Sequence, residues 1–266
     1  MRVWIHGAMT VSRVGVGGVV GAQGGVVTGG GTGRFVWIAW VDGIGCGPSR
    51  ASGHALDSAI MRRLVIAPHM DDESLGCGGL LAKYAAQCRV VAVADSGPVR
   101  AAEHARALDL LGVTDSVALG LPDTALGQDM PRLVRELDRQ FGEFRPDEVY
   151  LPYPSLHQDH IAVYEAGMRA SRASMSSSHW FPPTVLVYDI AAYDLNLYPT
   201  DLRWNVFEAL TAEQAELKRR ACAAYESESP GGAHPMNSVK DIARAVGNMR
   251  LTEFAEQYAL VRLVRS

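Results

Sequence analysis

The sequence predicts an α/β fold: a Rossmann-like, mainly parallel sheet with helices on both faces. Two observations predict it. From Met61 onward short apolar runs alternate with helical stretches, the pattern of strands joined by crossover helices. The chain of 266 residues is 48% hydrophobic, enough to cover such a sheet on both sides without disulfide support.

The elements follow in order. RRLVIAP reads as a buried strand, and LLAKYAAQ as a helix after a glycine run that turns the backbone. CRVVAVADS is the next strand, and VRAAEHARALDLLG a helix closed by Gly112. SVALGLP continues the series. DMPRLVRELDRQF begins at Asp129 as cap, with Pro131 in the first turn. DEVYLP is a strand and QDHIAVYEAGMRAS a helix, followed by the strand VLVYDIAAYD. TAEQAELKRRACAAYESE carries a capping box from Thr211 to Gln214, and SVKDIARAVG a second from Ser238 to Asp241. YALVRLV reads as a closing strand. No repeat or long linker interrupts this series, so residues 61–266 are expected to form one domain. Residues 1–60 hold fifteen of the 27 glycines and six charged residues, which predicts a poorly ordered extension without side chains for chemistry.

The formal charge of −4, with no Lys/Arg block, disfavours nucleic acid as a partner. No apolar run is long enough to span a bilayer. Cys46, Cys77, Cys88 and Cys222 form no CxxC pair, which suits a reducing compartment and predicts a cytoplasmic protein. The sequence is silent on assembly.

The chemistry is concentrated in two clusters. PHMDDE follows the first strand, and YPSLHQDH follows DEVYLP about ninety residues later. Open parallel sheets bind ligands outside the carboxyl ends of their strands, so both clusters belong on one rim if their strands are neighbours. His69, Asp72 and His160 then make a two-histidine, one-carboxylate site, which suits catalytic zinc because three protein ligands leave an open position for water. Iron, cobalt or manganese suit the same groups. A divalent cation offsets the crowding of Asp71, Asp72 and Glu73. Asp71 is the expected general base. His157, three residues before His160, is expected to act as an imidazolium that stabilises an oxyanion and protonates a leaving amine. Asp159 is a candidate acceptor that orients an imidazole, and Glu73 does related work or joins the loop's hydrogen bonds.

Arg100, Trp180, Trp204, Asn205 and His234 are candidate substrate contacts, with packing as the alternative for each. His104, in an alanine-rich helix, reads as structural, and Cys77 as a small buried hydrophobe. Glycines 76, 78 and 79 lack the spacing of a dinucleotide loop, and a phosphate there meets three carboxylates.

With these residues the chain from Met61 onward resembles the PIG-L/LmbE family of zinc-dependent N-acetylglucosaminyl deacetylases. The resemblance rests on PHMDDE at 68–73, ADSG at 94–97, LPDT at 121–124, HQDH at 157–160 and FAEQYALVR at 254–262. It departs from the family pattern at Met70, at Gln158 and in DSG for a TDG-like element. The resemblance implies an LmbE-like fold and hydrolysis of an N-acetyl or N-acyl amide on a small-molecule or glycoconjugate substrate. It assigns metal binding to His69, Asp72 and His160, the base to Asp71, and oxyanion stabilisation to His157. A non-sugar amide, glycopeptide or thiol conjugate is the nearer alternative. A non-catalytic sugar or nucleotide-binding module with a structural metal is the more distant one, and it has no use for Asp71 and His157.

Overall fold

The computed structural model describes residues 61–190, 192, 195–228 and 238–265. The expectations for residues 1–60 and for His234 lie outside the described residues. The strands are β1 (Arg63–Ala67), β2 (Cys88–Ala94), β3 (Asp115–Leu121), β4 (Glu148–Pro152), β5 (Thr184–Tyr188), β6 (Trp204–Leu210) and β7 (Phe254–Leu263). The helices are α1 (Asp72–Tyr84), α2 (Gly97–Leu111), α3 (Met130–Phe144), α4 (Gln158–Ala170), α5 (Ala212–Ala223) and α6 (Val239–Asn248).

The sheet runs β3-β2-β1-β4-β5-β7-β6. Its first five strands are parallel, while β7 runs antiparallel to both β5 and β6. The chain moves outward from β1 through β2 to β3, then returns to β4 on the other side of β1. That reversal opens a crevice at the carboxyl ends of β1 and β4. Right-handed crossovers leaving β1 in opposite directions place α1 and α2 on one face and α3 and α4 on the other. The packing agrees, with α1 and α2 against α5, and α3 against α4. Because both faces are covered, all five residues of β1 are buried.

Most local signals hold. Gly112 ends α2 at φ 76°, and the Asp129 carboxylate accepts from Arg132 N–H at 3.0 Å. Thr211 and Gln214 form their reciprocal box. The box at Ser238 does not form, because Ser238 sits at φ −86°, ψ −7° and its hydroxyl makes no capping bond. A capping residue needs an extended backbone, which Thr211 has at ψ 163°.

The glycine run is a correction. Glycines 76, 78 and 79 lie inside α1, not in a turn before it. A Cβ at Gly76 would overlap the Tyr188 ring, and one at Gly79 would overlap Leu210 and lie 3.1 Å from the Glu256 carboxyl carbon. The missing side chains let α1 lie against the sheet. They also admit the buried Glu256 carboxylate, which accepts from Gly79 N–H and Leu80 N–H, both at 2.8 Å. Lys218 Nζ and Tyr258 Oη donate to the same carboxylate at 2.7 and 2.8 Å. The edge strand β6 was not expected from sequence, since its half-exposed WNVFEAL has no continuous apolar run. Among the described residues no helix is long and apolar enough to cross a membrane.

Candidate metal centre and active site

After β1 the chain passes Pro68 and turns tightly, with Asp71 N–H donating to His69 O at 3.1 Å. Helix α1 starts at Asp72, so three carboxylates gather at a helix N-terminus, where the macrodipole favours negative charge. Asp71 caps the helix at φ 156°, ψ −29°, outside the common backbone regions. Asp72 Oδ2 accepts from His69 N–H at 2.9 Å and lies 3.5 Å from His69 Nδ1.

The second cluster arrives from β4, next to β1. His157 caps α4, and His160 sits in its first turn, 3.3 Å from Asp72 Oδ2 through Nε2. The sheet thus brings His69, Asp72 and His160 together. His157 completes a triangle of rings, 4.9 Å from His69 and 5.6 Å from His160.

Asp159 is completely buried. It accepts from Thr124 N–H at 2.7 Å and Leu126 N–H at 3.1 Å, and its Oδ2 lies 3.3 Å from His69 Nε2. Asp159 therefore ties down the loop after β3 and, with Asp123 Oδ1 at 3.1 Å from the same nitrogen, orients the imidazole so that Nδ1 faces Asp72.

Burial lowers the proton affinity of His69, but the bond and charge of Asp72, with Asp71 and Asp123, outweigh it and raise the ring's pKa to about 9. Burial disfavours the Asp72 anion, yet His160 and His69 hold its carboxyl well below the usual range. Burial, then the Asp72 charge, push Asp71 well up, while Arg100 opposes them. His157 is lowered by burial and by its two histidine neighbours.

These donors fit a divalent cation. Two imidazole nitrogens lie within 3.5 Å of one carboxylate oxygen, and nitrogens of His69, His157 and His160 lie within 4.8 Å of one another. Asp72 and His160 are buried, and His160 Nδ1 has no hydrogen-bond partner. Arg100 offsets part of the clustered negative charge at Asp71, and a divalent cation among the histidines would offset the rest.

The remaining candidates separate. Arg100 reaches the site, with Nη1 donating to Asp71 Oδ2 at 3.0 Å and Met70 O at 3.1 Å, while Nη2 pairs with Glu228. Glu73 lies beneath the cavity, fully buried, where Oε1 accepts from Tyr225 Oη and Oε2 from Asp71 N–H. His104 joins that buried network as a structural group. Trp180 donates to Pro146 O at the amino end of β4, on the opposite rim. Trp204 packs on Tyr153, and Asn205 Oδ1 accepts from Leu260 N–H. None of these three lines the cavity of about 210 Å³ above the histidines. A tryptophan's position in the chain carries no information about which rim it occupies.

The cavity wall also holds Ser96, Asp123, Thr124 and Glu228. Asp123 and Thr124 belong to LPDT, which ends β3 on this rim, and that strand-end position was their available signal. Glu228 had none, since it arrives after α5 from a distant part of the chain.

Residues 64–171 match the family model for GlcNAc-PI de-N-acetylase, PIG-L. The uncharacterized deacetylase YaiS of Escherichia coli K12 is 29% identical over 189 residues, covering 65% of this chain and 95% of that protein. The 1D-myo-inositol 2-acetamido-2-deoxy-alpha-D-glucopyranoside deacetylase of Streptomyces scabiei is 28% identical, covering 62% of this chain and 64% of the relative. Among solved structures, the conserved protein TT1542 from Thermus thermophilus superposes with a TM-score of 0.63 at 24% identity, covering 77% of this chain and 97% of its own. The N,N'-diacetylchitobiose deacetylase from Pyrococcus horikoshii gives 0.57 at 18%, covering 76% and 84%. GalB, a 4-carboxy-2-hydroxymuconate hydratase from Pseudomonas putida KT2440, gives 0.60 at 17%, covering 77% and 99%. A fold shared by deacetylases and a hydratase shows architecture and leaves the reaction to the site. The stretch that matches the PIG-L family model spans both PHMDDE and HQDH, the two clusters that build the site.

Proposed function

We propose that this chain is a metal-dependent N-deacetylase that hydrolyses the N-acetyl amide of an amino-sugar substrate to acetate and a free amine. The observation that carries the reading is the convergence on one cavity of His69, Asp72 and His160, with Asp71 and His157 beside them. His69, Asp72 and His160 would hold the metal, and zinc suits two imidazoles and a carboxylate. When bound, such a cation polarises a carbonyl and makes water more acidic.

The chain's own residues divide the proton work. Arg100 holds Asp71 Oδ2, which leaves Oδ1 to take a proton from the attacking water. Asp71, carrying that proton beside the reacting centre, passes it to the amine nitrogen as the C–N bond breaks. His157 differs from its sequence expectation. Its Nδ1 accepts from Asp159 N–H at 3.2 Å, so the neutral ring carries its proton on Nε2. It serves as a neutral donor to the developing oxyanion, and the amine receives its proton from Asp71.

The amino-sugar class is supported by the names of the Streptomyces and Pyrococcus proteins and by the half-exposed Asp123 on the cavity wall, a ready acceptor for a hydroxyl. In this reading residues 61–266 are one deacetylase domain, residues 1–60 an extension, and the protein cytoplasmic. The test is amine release by zinc-reconstituted protein from N-acetylglucosamine, its 1-linked conjugates and acylated glycopeptides, with Asp71→Asn as blank. Release that vanishes in the variant supports the reading. A silent panel with metal bound rules out the amino-sugar amides tested.

A further inference from the structure

The short turn after α5, residues 225–228, has no place in the catalytic scheme, yet it is clamped along one face of α2. Tyr225 Oη lies 3.0 Å from His104 Nδ1, Ser227 N–H and Oγ both donate to Glu103, and Glu228 pairs with Arg100. Arg100, Glu103 and His104 are spaced i, i+3 and i+4, so they share a helix face. Both ends of this clamp lead to Asp71. From below, Tyr225 Oη donates to Glu73 Oε1 at 2.6 Å, and Glu73 Oε2 accepts from Asp71 N–H at 3.1 Å. From the side, Glu228 holds the arginine that donates to Asp71 Oδ2 at 3.0 Å.

We infer that the Tyr225–Glu228 turn is a positioning element for the base, holding Asp71 at its main chain through Glu73 and at its carboxylate through Arg100. Tyr225 is fully buried and does not line the cavity, so it acts only through these partners. Its hydroxyl is what matters, since a phenylalanine fills the same space and leaves the buried Glu73 carboxylate one donor short. The inference rests on the deacetylase reading for its kinetic consequence, though the clamp itself has a separate readout.

The experiment compares Tyr225→Phe and Glu228→Gln in the zinc-loaded enzyme. Each is expected to lower kcat about tenfold with bound metal unchanged, and Tyr225→Phe, which lies outside the cavity, to keep KM within about twofold, because the base is misplaced while the binding surface persists. The loss should disappear in the Asp71→Asn background, where there is no base left to position. Unchanged kcat in both variants, or losses that multiply undiminished on Asp71→Asn, would overturn the inference. If Tyr225→Phe does not fold, Glu228→Gln decides alone. Should wild type release no amine from any amide, the deacetylase reading fails separately. Amide exchange at Asp71 then decides: faster exchange in Tyr225→Phe supports the clamp, and equal exchange refutes it.

Discussion

Asp71 and His157 flank the same metal donors but occupy different electrostatic settings, and their substitutions should separate accordingly. Asp71→Asn is expected to retain zinc and lose at least about a hundredfold in kcat, checked by turnover beside metal content. His160→Ala removes a metal donor and should yield protein without stoichiometric zinc after gel filtration. For His157 the prediction concerns pH. Burial and its histidine neighbours lower its pKa, so the neutral donor form persists as pH rises through 7. The rate should therefore not fall between pH 7 and pH 8 on account of this residue. A basic limb in that range that vanishes in His157→Gln would restore the imidazolium role. These side chains were legible in the sequence because their type and spacing are chemical. Asp123 and Thr124 had only their place at the end of β3 to mark them, and Glu228 carries no signature and joins the cavity only when distant segments meet.

At the scale of elements, α1 shows how tertiary contacts reverse a helix preference. In an exposed helix Gly→Ala stabilises by roughly 1 kcal/mol. At Gly79 the added methyl meets Leu210 and Glu256, so Gly79→Ala should destabilise by about 1–3 kcal/mol, measured by urea unfolding. The loop after β3 offers the opposite case. Thr124 stands at φ 61°, a left-handed backbone that disfavours β-branched side chains. Thr124→Gly keeps the N–H that Asp159 accepts and should raise stability by up to about 1 kcal/mol. The strands and helices with strong periodicity were readable in advance. The glycine run misled because glycine's usual effect on a lone helix is unfavourable, and the contacts that require it lie more than 100 residues away in Tyr188, Leu210 and Glu256.

Across the whole molecule two buried ionic groups join elements far apart in the chain. Lys218 on α5 and Glu256 on β7 are both buried and paired at 2.7 Å. Lys218→Met leaves the Glu256 charge without its cation and should destabilise by about 3–5 kcal/mol. The second group is Glu73 with His104 and Tyr225. Burial lowers the His104 pKa, but the charge and hydrogen bond of Glu73 outweigh it and raise the folded value above 6.5. Its contribution is therefore complete below about pH 6.5 and is lost as pH rises through the raised value. Glu73 is depressed, so its contribution is present above its unfolded value and is lost as pH falls through the lower folded one. Urea unfolding of metal-free His104→Gln should show lower stability near pH 6 than wild type, with the gap narrowing toward alkaline pH.

The sequence by itself determined the alternation of strand and helix, the two His/Asp clusters and the strand ends that carry them, because apolar periodicity and side-chain chemistry are local properties of the chain. Only the tertiary structure decided that β1 and β4 are neighbours, that Arg100 holds Asp71 and that the Asp159 N–H donates to Nδ1 of His157. It also decided that α1 must be bare of side chains along one face. Those outcomes depend on strand order and on the close approach of elements distant in sequence, which no local pattern of residues encodes.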